Sequence, residues 1–214
     1  VVCFEERSRF DAFTPMGNIA TAAETEQLRS LAEGAMVLFP EDRVFQIRLK
    51  DKLPVRWVER GPSNEFEGVA CRNEYYTWQI GVWAAKGDLN NLKIEFSDLS
   101  ADSKKIVADS ITCFNLEGVN WDGKPLTFDV DVKKGEVQAL WCGVQIPENA
   151  KAGTYRGQLT VSAEGIRRLS MWLSRYVRSY WPIVARAICG VWHAFVGSIR
   201  RLAWAMLLRA IIKM

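Results

Sequence analysis

The sequence predicts a mainly β protein, an antiparallel β-sandwich of the immunoglobulin-like kind with one short N-terminal helix. Three observations support this prediction. Roughly eight to ten short runs alternate apolar and polar residues, turn residues separate the runs, and no helical pattern intervenes between them. Strands that bury one face alternate in this way, and many antiparallel strands at short spacing pack as two facing sheets. We expect the sandwich to occupy residues 36–165.

The helix is expected within an N-terminal extension, residues 1–35. Thr21 and Glu24 have the spacing of a capping box, in which a hydroxyl and a carboxylate satisfy helix-start amides reciprocally. Leu28 and Leu31 follow at helical spacing, and Gly34 suits a C-terminal cap. A short surface helix is predicted here.

Period-two runs follow from Met36. Residues 36–39 and 45–49 suggest two strands separated by a turn-like segment, residues 40–42. A short extended piece is expected around Trp57, between Pro54 and the turn residues 61–64. Residues 74–85 form a strand whose apolar row includes Trp78, and residues 92–96 form another. Residues 97–105 are predicted as a polar connection.

The later runs lead to the clearest pattern of the chain, in residues 137–161. Strands are predicted at 111–116 and 126–132, with a turn at 119–124 between them. Within 137–161, two alternating runs flank a loop that contains Pro, Asn and Gly. The first run places Leu140, Cys142 and Val144 on one face, and the second starts at Tyr155. Tyr155 is predicted to be a tyrosine-corner-like residue whose hydroxyl bonds back to loop backbone.

The formal net charge of +3 conceals two regions of opposite character. Residues 166–214 hold eight Arg, one Lys and no Asp or Glu. Residues 1–165 hold the other 19 basic residues and all 25 acidic ones, so the body of the chain is acidic. A basic surface for nucleic acid is therefore not predicted.

The five cysteines do not indicate a metal site or a disulfide framework. They are odd in number, widely spaced and without a CxxC motif. Cys142 lies on an apolar strand face, where we expect a buried free thiol. The chain begins with Val1 and not with Met, as a fragment or processed product would.

Eight segments of this sequence resemble the N-terminal region of bacterial glycoside hydrolase family 123 proteins. They occur in collinear order over about residues 5–165 and are LFPEDR (38–43), GPSNEF (61–66), CRNEYYTWQIGV (71–82), FSDL (96–99), ITCFN (111–115), QALW (138–141), VQIPE (144–148) and AGTY (152–155).

The resemblance implies an N-terminal β-sandwich followed by a (β/α)₈ catalytic barrel and a further C-terminal region. It also implies hydrolysis of terminal β-linked N-acetylgalactosamine, with the acetamido group of the substrate as nucleophile, an exception to the two-carboxylate scheme. The catalytic Asp–Glu pair of the family belongs to the barrel. No catalytic residue is therefore carried over, and this chain is expected to be a non-catalytic fragment of the parent enzyme.

Residues 166–214 depart from the family and are expected to be helical or disordered, and non-native. They contain four of the nine Trp and the only His. Residues 181–199 are about long enough to cross a bilayer, but Arg186 lies inside them, at a cost of about 2.5–3.5 kcal/mol on insertion scales. A basic amphipathic helix on anionic lipid is a second interpretation.

The third interpretation, which we favour, is an out-of-frame translation. Codons for residues 182–185, read two nucleotides later, can encode Ala-Asp-Arg-Gly. Codons for residues 196–203, shifted alike, can encode Arg-Trp-Leu-Asp-Ser-Thr. Both products resemble the segment that comes after the sandwich in the family.

Aromatic residues are the candidate contact sites, because sugars stack on exposed rings. Tyr75, Trp83 and Trp141 fall on strand faces opposite the most apolar rows, and Trp121 lies beside an Asp-Gly turn. We predict that these four contact carbohydrate or an adjoining domain. Trp78 lies in the apolar row and is expected in the core.

No acid, base or metal ligand stands out in the sequence. His193 has no second His and no nearby Cys or acid, so it supports neither a metal site nor a Ser–His pair. Acid–base pairs can be imagined at residues 5–6, 41–42 and 129/131. Asp129 and Asp131 lie on the polar face of an alternating strand and are expected to be solvated, and Glu65 and Glu67 likewise fit an exposed strand edge. P-loop, GxGxxG, GxSxG and HExxH motifs do not occur.

The expected partner is the catalytic barrel of the same parent protein, with glycan as a further possibility. No cofactor and no nucleic-acid partner are expected. A membrane is expected as a partner only if residues 166–214 are native sequence. The alternative function is a free-standing carbohydrate-binding or cell-surface module with a membrane-active basic tail. By resemblance, the location is secreted, periplasmic or on the outer bacterial surface.

Overall fold

The computed structural model describes residues 14–102 and 104–178. For residues 167–178 it describes the backbone pairing but not the side chains. The described part is mainly β with largely antiparallel sheets, as predicted, but it has two short α-helices where the sequence predicts one. The α-helices are α1 (Ala22–Leu31) and α2 (Val55–Arg60), and a single 3₁₀ turn spans Ala108–Ser110. The strands are β1 (Met36–Asp42), β2 (Glu65–Cys71), β3 (Tyr75–Ala84), β4 (Lys93–Phe96), β5 (Leu99–Ala101), β6 (Lys104–Ile106), β7 (Ile111–Cys113), β8 (Glu117–Val119), β9 (Pro125–Thr127), β10 (Val137–Gln145), β11 (Gly153–Ala163) and β12 (Ile166–Arg178).

Two sheets face each other across the main core. The first has four antiparallel strands in the order β1-β3-β10-β7. The second has the order β2-β12-β11-β5-β6, with β4 also paired to β11. Within the second sheet β2 and β12 run parallel, while the other described pairs are antiparallel. A separate two-stranded hairpin consists of β8 and β9.

Residues 137–161 cross from one sheet to the other. Strand β10 lies in the first sheet and β11 in the second, and residues 146–152 connect them. Both apolar rows point inward, so Cys142 and Val144 oppose Leu159 and Val161 in one buried cluster. The two runs therefore form opposite walls of the core.

A second apolar cluster covers part of the outer face of the first sheet. Its buried members come from α1, from α2 and the segment before it, and from outward positions of β1 and β3. Trp57 of α2 and Leu28 of α1 are its helical members, and Trp83 of β3 lies beneath them. The N-terminal helix thus belongs to the packed domain.

The N-terminus of α1 forms as the capping-box spacing predicts. The Thr21 hydroxyl accepts the Glu24 N–H at 3.2 Å, and Glu24 Oε2 accepts the Thr21 N–H at 2.7 Å. The C-terminus differs, because the cap is Ala32 and not Gly34. Ala32 has an extended backbone, so no left-handed residue is needed there.

Three predictions about residues 40–60 are wrong. Residues 40–42 continue β1 and do not form a turn, because β1 is an edge strand, where the missing N–H of Pro40 costs no ladder hydrogen bond. Residues 45–49 form no strand. The segment around Trp57 is helix α2 and not an extended piece, so a helix does intervene between strands.

Two later segments also differ from the prediction. The polar connection at residues 97–105 contains β5 and most of β6, which pair with each other. The strand predicted at 126–132 is regular only in β9. Residues 128–132 form only isolated backbone contacts and no continuous ladder. Phe128 N–H donates to Leu116 O at 2.9 Å, and Val132 forms a single β-bridge with Leu89.

Residues 166–178 were expected to be helical or disordered, and this expectation is wrong for that segment. Glu164 and Gly165 form a two-residue loop, with Gly165 at φ +69°, and the chain returns as β12 along β11. Loops of this length favour a hairpin because glycine adopts positive φ without strain. Residues 179–214, with His193 and the segment 181–199, lie outside the described residues. No helix within 14–102 and 104–178 is long and apolar enough to span a bilayer.

Candidate interdomain surface

The outer face of the first sheet is divided into a covered and an uncovered half. Strand β3 turns alternate residues outward, from Tyr75 through Gln79 and Gly81 to Trp83. Helices α1 and α2 cover the half near Trp83. The half near Tyr75 remains open to solvent, since Tyr75 is 43% exposed.

In the covered half, the Trp57 ring lies against the backbone of Gly81. A Cβ atom at Gly81 would stand 2.3 Å from Trp57 Cη2. The same ring stacks on Phe39 with 4.4 Å between centroids and 2° between planes. Only glycine therefore allows this close approach, and Trp57 is fully buried.

A buried carboxylate anchors α2 to β1. Glu41 Oε1 accepts hydrogen bonds from Trp57 Nε1 at 2.9 Å and from Arg56 Nε at 3.3 Å, and Arg60 Nη2 lies 3.1 Å away. Asp42, on the opposite side of the strand, accepts a short hydrogen bond from the Tyr76 hydroxyl. The two acids serve different structural contacts and do not form an acid–base pair.

Trp83 is not part of the accessible surface. It is fully buried, and its Nε1 donates to Gly135 O at 3.3 Å. The guanidinium carbon of Arg29 on α1 lies 5.6 Å from the ring centroid. The sheet face was identified correctly, but α1 covers this end of it, so Trp83 is removed from the candidate contacts.

In the uncovered half, Tyr75 lies over Gly143 of β10. A Cβ atom at Gly143 would stand 2.4 Å from Tyr75 Cε1. The Tyr75 hydroxyl is hydrogen-bonded to the Thr112 side chain, and partial burial raises the pKa of the phenol while that bond opposes the rise. Tyr75 thus lies across three strands: β3, β10 and β7.

Phe114 and Trp141 complete this group of rings, which we call the sheet patch (Tyr75, Phe114 and Trp141). The Phe114 centroid lies 6.0 Å from that of Tyr75, and Phe114 is 45% exposed. Trp141 is half-buried, its carbonyl accepts the Phe114 N–H at 2.9 Å, and its N–H donates to Asn115 Oδ1. Sequence analysis missed Phe114, although its position beside inward-facing Cys113 makes it outward-facing by alternation.

The hairpin of β8 and β9 begins three residues after Phe114, and we call it the hairpin arm (residues 117–127). Trp121 at its tip is 96% exposed and Val119 is 71% exposed. Asn120 Oδ1 accepts the Asp122 and Lys124 N–H groups at 3.2 and 2.9 Å, and Gly123 has φ +79°. The turn is ordered by these bonds, so Trp121 is presented on a defined loop.

The remaining acids considered from sequence do not form a catalytic pair within the described residues. Asp129, Glu65 and Glu67 are exposed, and Asp131 accepts the Asn91 N–H at 2.8 Å. Glu5 and Glu6 lie outside the described part. Among residues 14–102 and 104–178, no group of three or more His, Cys, Asp or Glu is placed to hold a metal ion.

Tyr155 has the geometry of a tyrosine corner. Its side chain is buried and its hydroxyl donates to Lys151 O at 3.1 Å, four residues upstream in the loop. The bond fixes the crossing between the sheets just before β11. Tyr155 is therefore structural and lies away from the accessible surface.

Comparison with known proteins agrees with this architecture. Residues 114–163, from Phe114 through the hairpin arm to the end of β11, match the family model described as the glycoside hydrolase 123 N-terminal domain. No curated protein matches the chain.

A similar solved structure is a family 123 glycoside hydrolase from Clostridium perfringens, described in connection with glycolipid glycan hydrolysis. It is 17% identical, with a TM-score of 0.53 over 68% of this chain, and the match spans 28% of that enzyme. At this identity the likeness shows the fold alone.

Two further structures are more distant. Spo0M of Bacillus subtilis has a TM-score of 0.34 at 11% identity, over 69% of this chain and 51% of its own. A DUF4466 family protein of Parabacteroides merdae has a TM-score of 0.34 at 14% identity, over 65% and 43%. Neither carries an argument about function. The family-model match over residues 114–163 and the sandwich fold confirm the resemblance of this chain to the N-terminal domain of glycoside hydrolase family 123.

Proposed function

We propose that the chain is the non-catalytic β-sandwich of a glycoside hydrolase acting on N-acetylgalactosamine-containing glycans, and that it packs against and positions a (β/α)₈ catalytic barrel. The family match supports an accessory domain of a glycoside hydrolase. The observation that carries the finer proposal is the pair of exposed apolar features, the sheet patch and the hairpin arm, which are linked through Phe114, three residues before β8.

The chemistry of these features fits a protein interface. Tyr, Trp and Phe are enriched at the centres of interfaces, where large rings fill pockets of the partner. Trp121 contributes almost its whole side chain to solvent, and nothing within the sandwich requires a Trp there. A barrel pocket that receives Trp121 would give the two domains a fixed relative orientation.

The acids of the described residues support a non-catalytic role. The two most buried ones, Glu41 and Glu74, are held by arginines: Glu74 Oε1 lies 2.7 Å from Arg43 Nη1, and Glu41 meets Arg56 and Arg60. Glu74 Oε2 also accepts the Cys71 N–H at 2.7 Å. Carboxylates that are buried and ion-paired in this way hold the fold together and are not presented to a substrate, as a general acid or base must be.

The barrel would be encoded downstream in a shifted frame, in a protein exported to the periplasm or cell surface. The acid-free composition of residues 179–214 and the permitted codons support this part of the proposal. Sequencing the gene and translating all three frames after codon 165 tests it. We expect an open, family-like frame, and its absence would contradict the frameshift.

A parent enzyme with the frame restored tests the positioning role. Trp121→Ala in that parent is expected to weaken interdomain binding by roughly 1–2 kcal/mol, so that the sandwich and the barrel melt in separate transitions. Leu31→Ala is the matched control, because Leu31 is 73% exposed but lies on α1. A single unchanged transition in Trp121→Ala would contradict a role for the hairpin arm.

The exposed rings also favour a second candidate, a free-standing carbohydrate-binding module. A glycan array separates the two. The full chain is used, because β12 extends the sheet beyond residue 165. Strong binding that Tyr75→Ala or Trp121→Ala abolishes would favour the module, and absence of binding is expected for a positioning domain. Release of N-acetylgalactosamine by this chain alone would overturn the non-catalytic assignment.

A further inference from the structure

Cys113 and Cys142 are direct neighbours across two strands of the first sheet. Cys113 ends β7 and Cys142 lies in β10, and the register pairs them. Both side chains are fully buried in the core between the sheets, and neither sulfur is in a disulfide in this structure. The 28 residues between them include the hairpin arm.

The hydrogen-bond pattern places the two cysteines at a favourable kind of position. Phe114 N–H donates to Trp141 O at 2.9 Å, which makes that the hydrogen-bonded pair and the adjacent Cys113–Cys142 pair a non-hydrogen-bonded one. Side chains approach most closely at such pairs, where Cα atoms lie about 4.5 Å apart. Disulfides span Cα separations of roughly 4.4–6.8 Å.

The two thiols are also hydrogen-bonded to each other. A hydrogen bond from Cys142 stabilises the Cys113 thiolate and lowers the pKa of Cys113, although burial opposes this effect. The thiolate is the form that attacks a disulfide. By contrast, Cys71 is buried in β2, in the other sheet.

We propose that Cys113 and Cys142 form a cross-strand disulfide in an oxidising compartment, by exchange with a low-molecular-weight disulfide. The Cys113 thiolate attacks one sulfur of that disulfide, forms a mixed disulfide and releases one thiolate. Cys142, as its thiolate, then attacks Cys113 Sγ and releases the second. Two protein thiols are oxidised, one small disulfide is reduced to two thiols, and the protons of the cysteines pass to the released thiolates.

Burial sets when this exchange takes place. Both side chains are inaccessible in the folded domain, so the reaction occurs during folding or on local opening of β7. Strand β7 is a three-residue edge strand, and such strands open at low cost. The bond would tie β7 to the central strand β10 and close a loop around the hairpin arm.

Refolding the full chain with and without oxidised glutathione tests the proposal. Remaining thiols are alkylated, and peptides are mapped without reduction. We expect one linked pair containing Cys113 and Cys142, two hydrogens lighter than the separate peptides. We also expect Tm to rise by roughly 5–10 °C and to fall again on reduction, because the cross-link constrains the unfolded chain.

Two variants sharpen the result. Cys142→Ala is expected to lose the glutathione-dependent shift, while Cys71→Ala, also at a buried cysteine, is expected to keep it. If Cys142→Ala does not fold, the wild-type peptide map decides alone. The proposal is overturned if Cys113 and Cys142 remain open to alkylation after oxidative refolding, or if either is linked to a different cysteine.

Discussion

The ring of Tyr75 lies against the backbone of Gly143, as the ring of Trp57 lies against Gly81. A Cβ atom would meet the nearest ring atom at 2.4 Å in the first pair and at 2.3 Å in the second. The two contacts lie on the same outer sheet face but differ in surroundings. Tyr75 is 43% exposed, whereas Trp57 is fully buried between Phe39 and Glu41.

Gly81→Ala is expected to destabilise the domain more than Gly143→Ala. Trp57 cannot move without breaking its stacking and its hydrogen bond, so Gly81→Ala should cost about 2–3 kcal/mol. Tyr75 can turn toward solvent, so Gly143→Ala should cost about 1 kcal/mol. Urea unfolding measures both. Adding Tyr75→Ala should relieve most of the cost of Gly143→Ala, and additive costs would show that the ring is not the obstacle.

Glu41→Ala is expected to lower the free energy of unfolding by about 2–4 kcal/mol. It leaves the buried Trp57 Nε1 without an acceptor and Arg56 and Arg60, each about one-third exposed, without their anion. Glu67→Ala, at an exposed position of β2, should change stability by no more than about 0.5 kcal/mol. Equal effects of the two changes in chemical denaturation would be evidence against the anchoring role of Glu41.

Tyr155→Phe is expected to cost about 1 kcal/mol. It removes one hydrogen bond, and water can reach the Lys151 carbonyl because Lys151 is exposed. Lys151→Ala keeps that carbonyl and should leave stability nearly unchanged. Thermal unfolding of the two variants distinguishes a backbone contact from a contact made by the lysine side chain.

Asp98 should make stability sensitive to acid. Hydrogen bonds from Lys105 and from the Ala108 N–H lower the pKa of Asp98 below its ordinary value of 3.8. Because the folded pKa is depressed, the stabilising contribution is complete above the unfolded value and is lost as pH falls through the folded value. The urea concentration at the unfolding midpoint should therefore decrease as the pH is lowered from about 5 to about 2.

Asp98→Asn is expected to flatten that part of the pH profile. Lys105→Ala should flatten it less, since the bond from Ala108 remains. If the urea midpoint of Asp98→Asn depends on pH in the acid range as that of the wild type does, the Asp98 carboxylate does not contribute to the acid sensitivity of folding.

Local patterns predicted those elements whose cause is local. The Thr21–Glu24 capping box involves residues three apart, and both of its hydrogen bonds form. Strand β3 and the two runs of residues 137–161 follow their alternation because each has one face in the core. Corner geometry at Tyr155 likewise depends on a carbonyl only four residues away.

Predictions failed where a distant partner decides the conformation. Pro40 indicates a turn by composition, but its place on an edge strand permits it to extend β1. Trp57 lies in a helix because its ring fills the space above Gly81 and beside Phe39. The hairpin of β5 and β6 is too short for periodicity to reveal.

The sequence by itself determined the fold class and the outward direction of Tyr75, Trp83 and Trp141, because strand alternation carries that information. Tertiary structure alone decided which of these rings meets solvent. Helices α1 and α2 bury Trp83 and leave Tyr75 open, although both rings lie on the same face of β3. It also decided that Cys113 and Cys142 are neighbours, since strand pairing brings together residues far apart in the chain. Alternation gives a side chain its direction, but only packing shows what lies there.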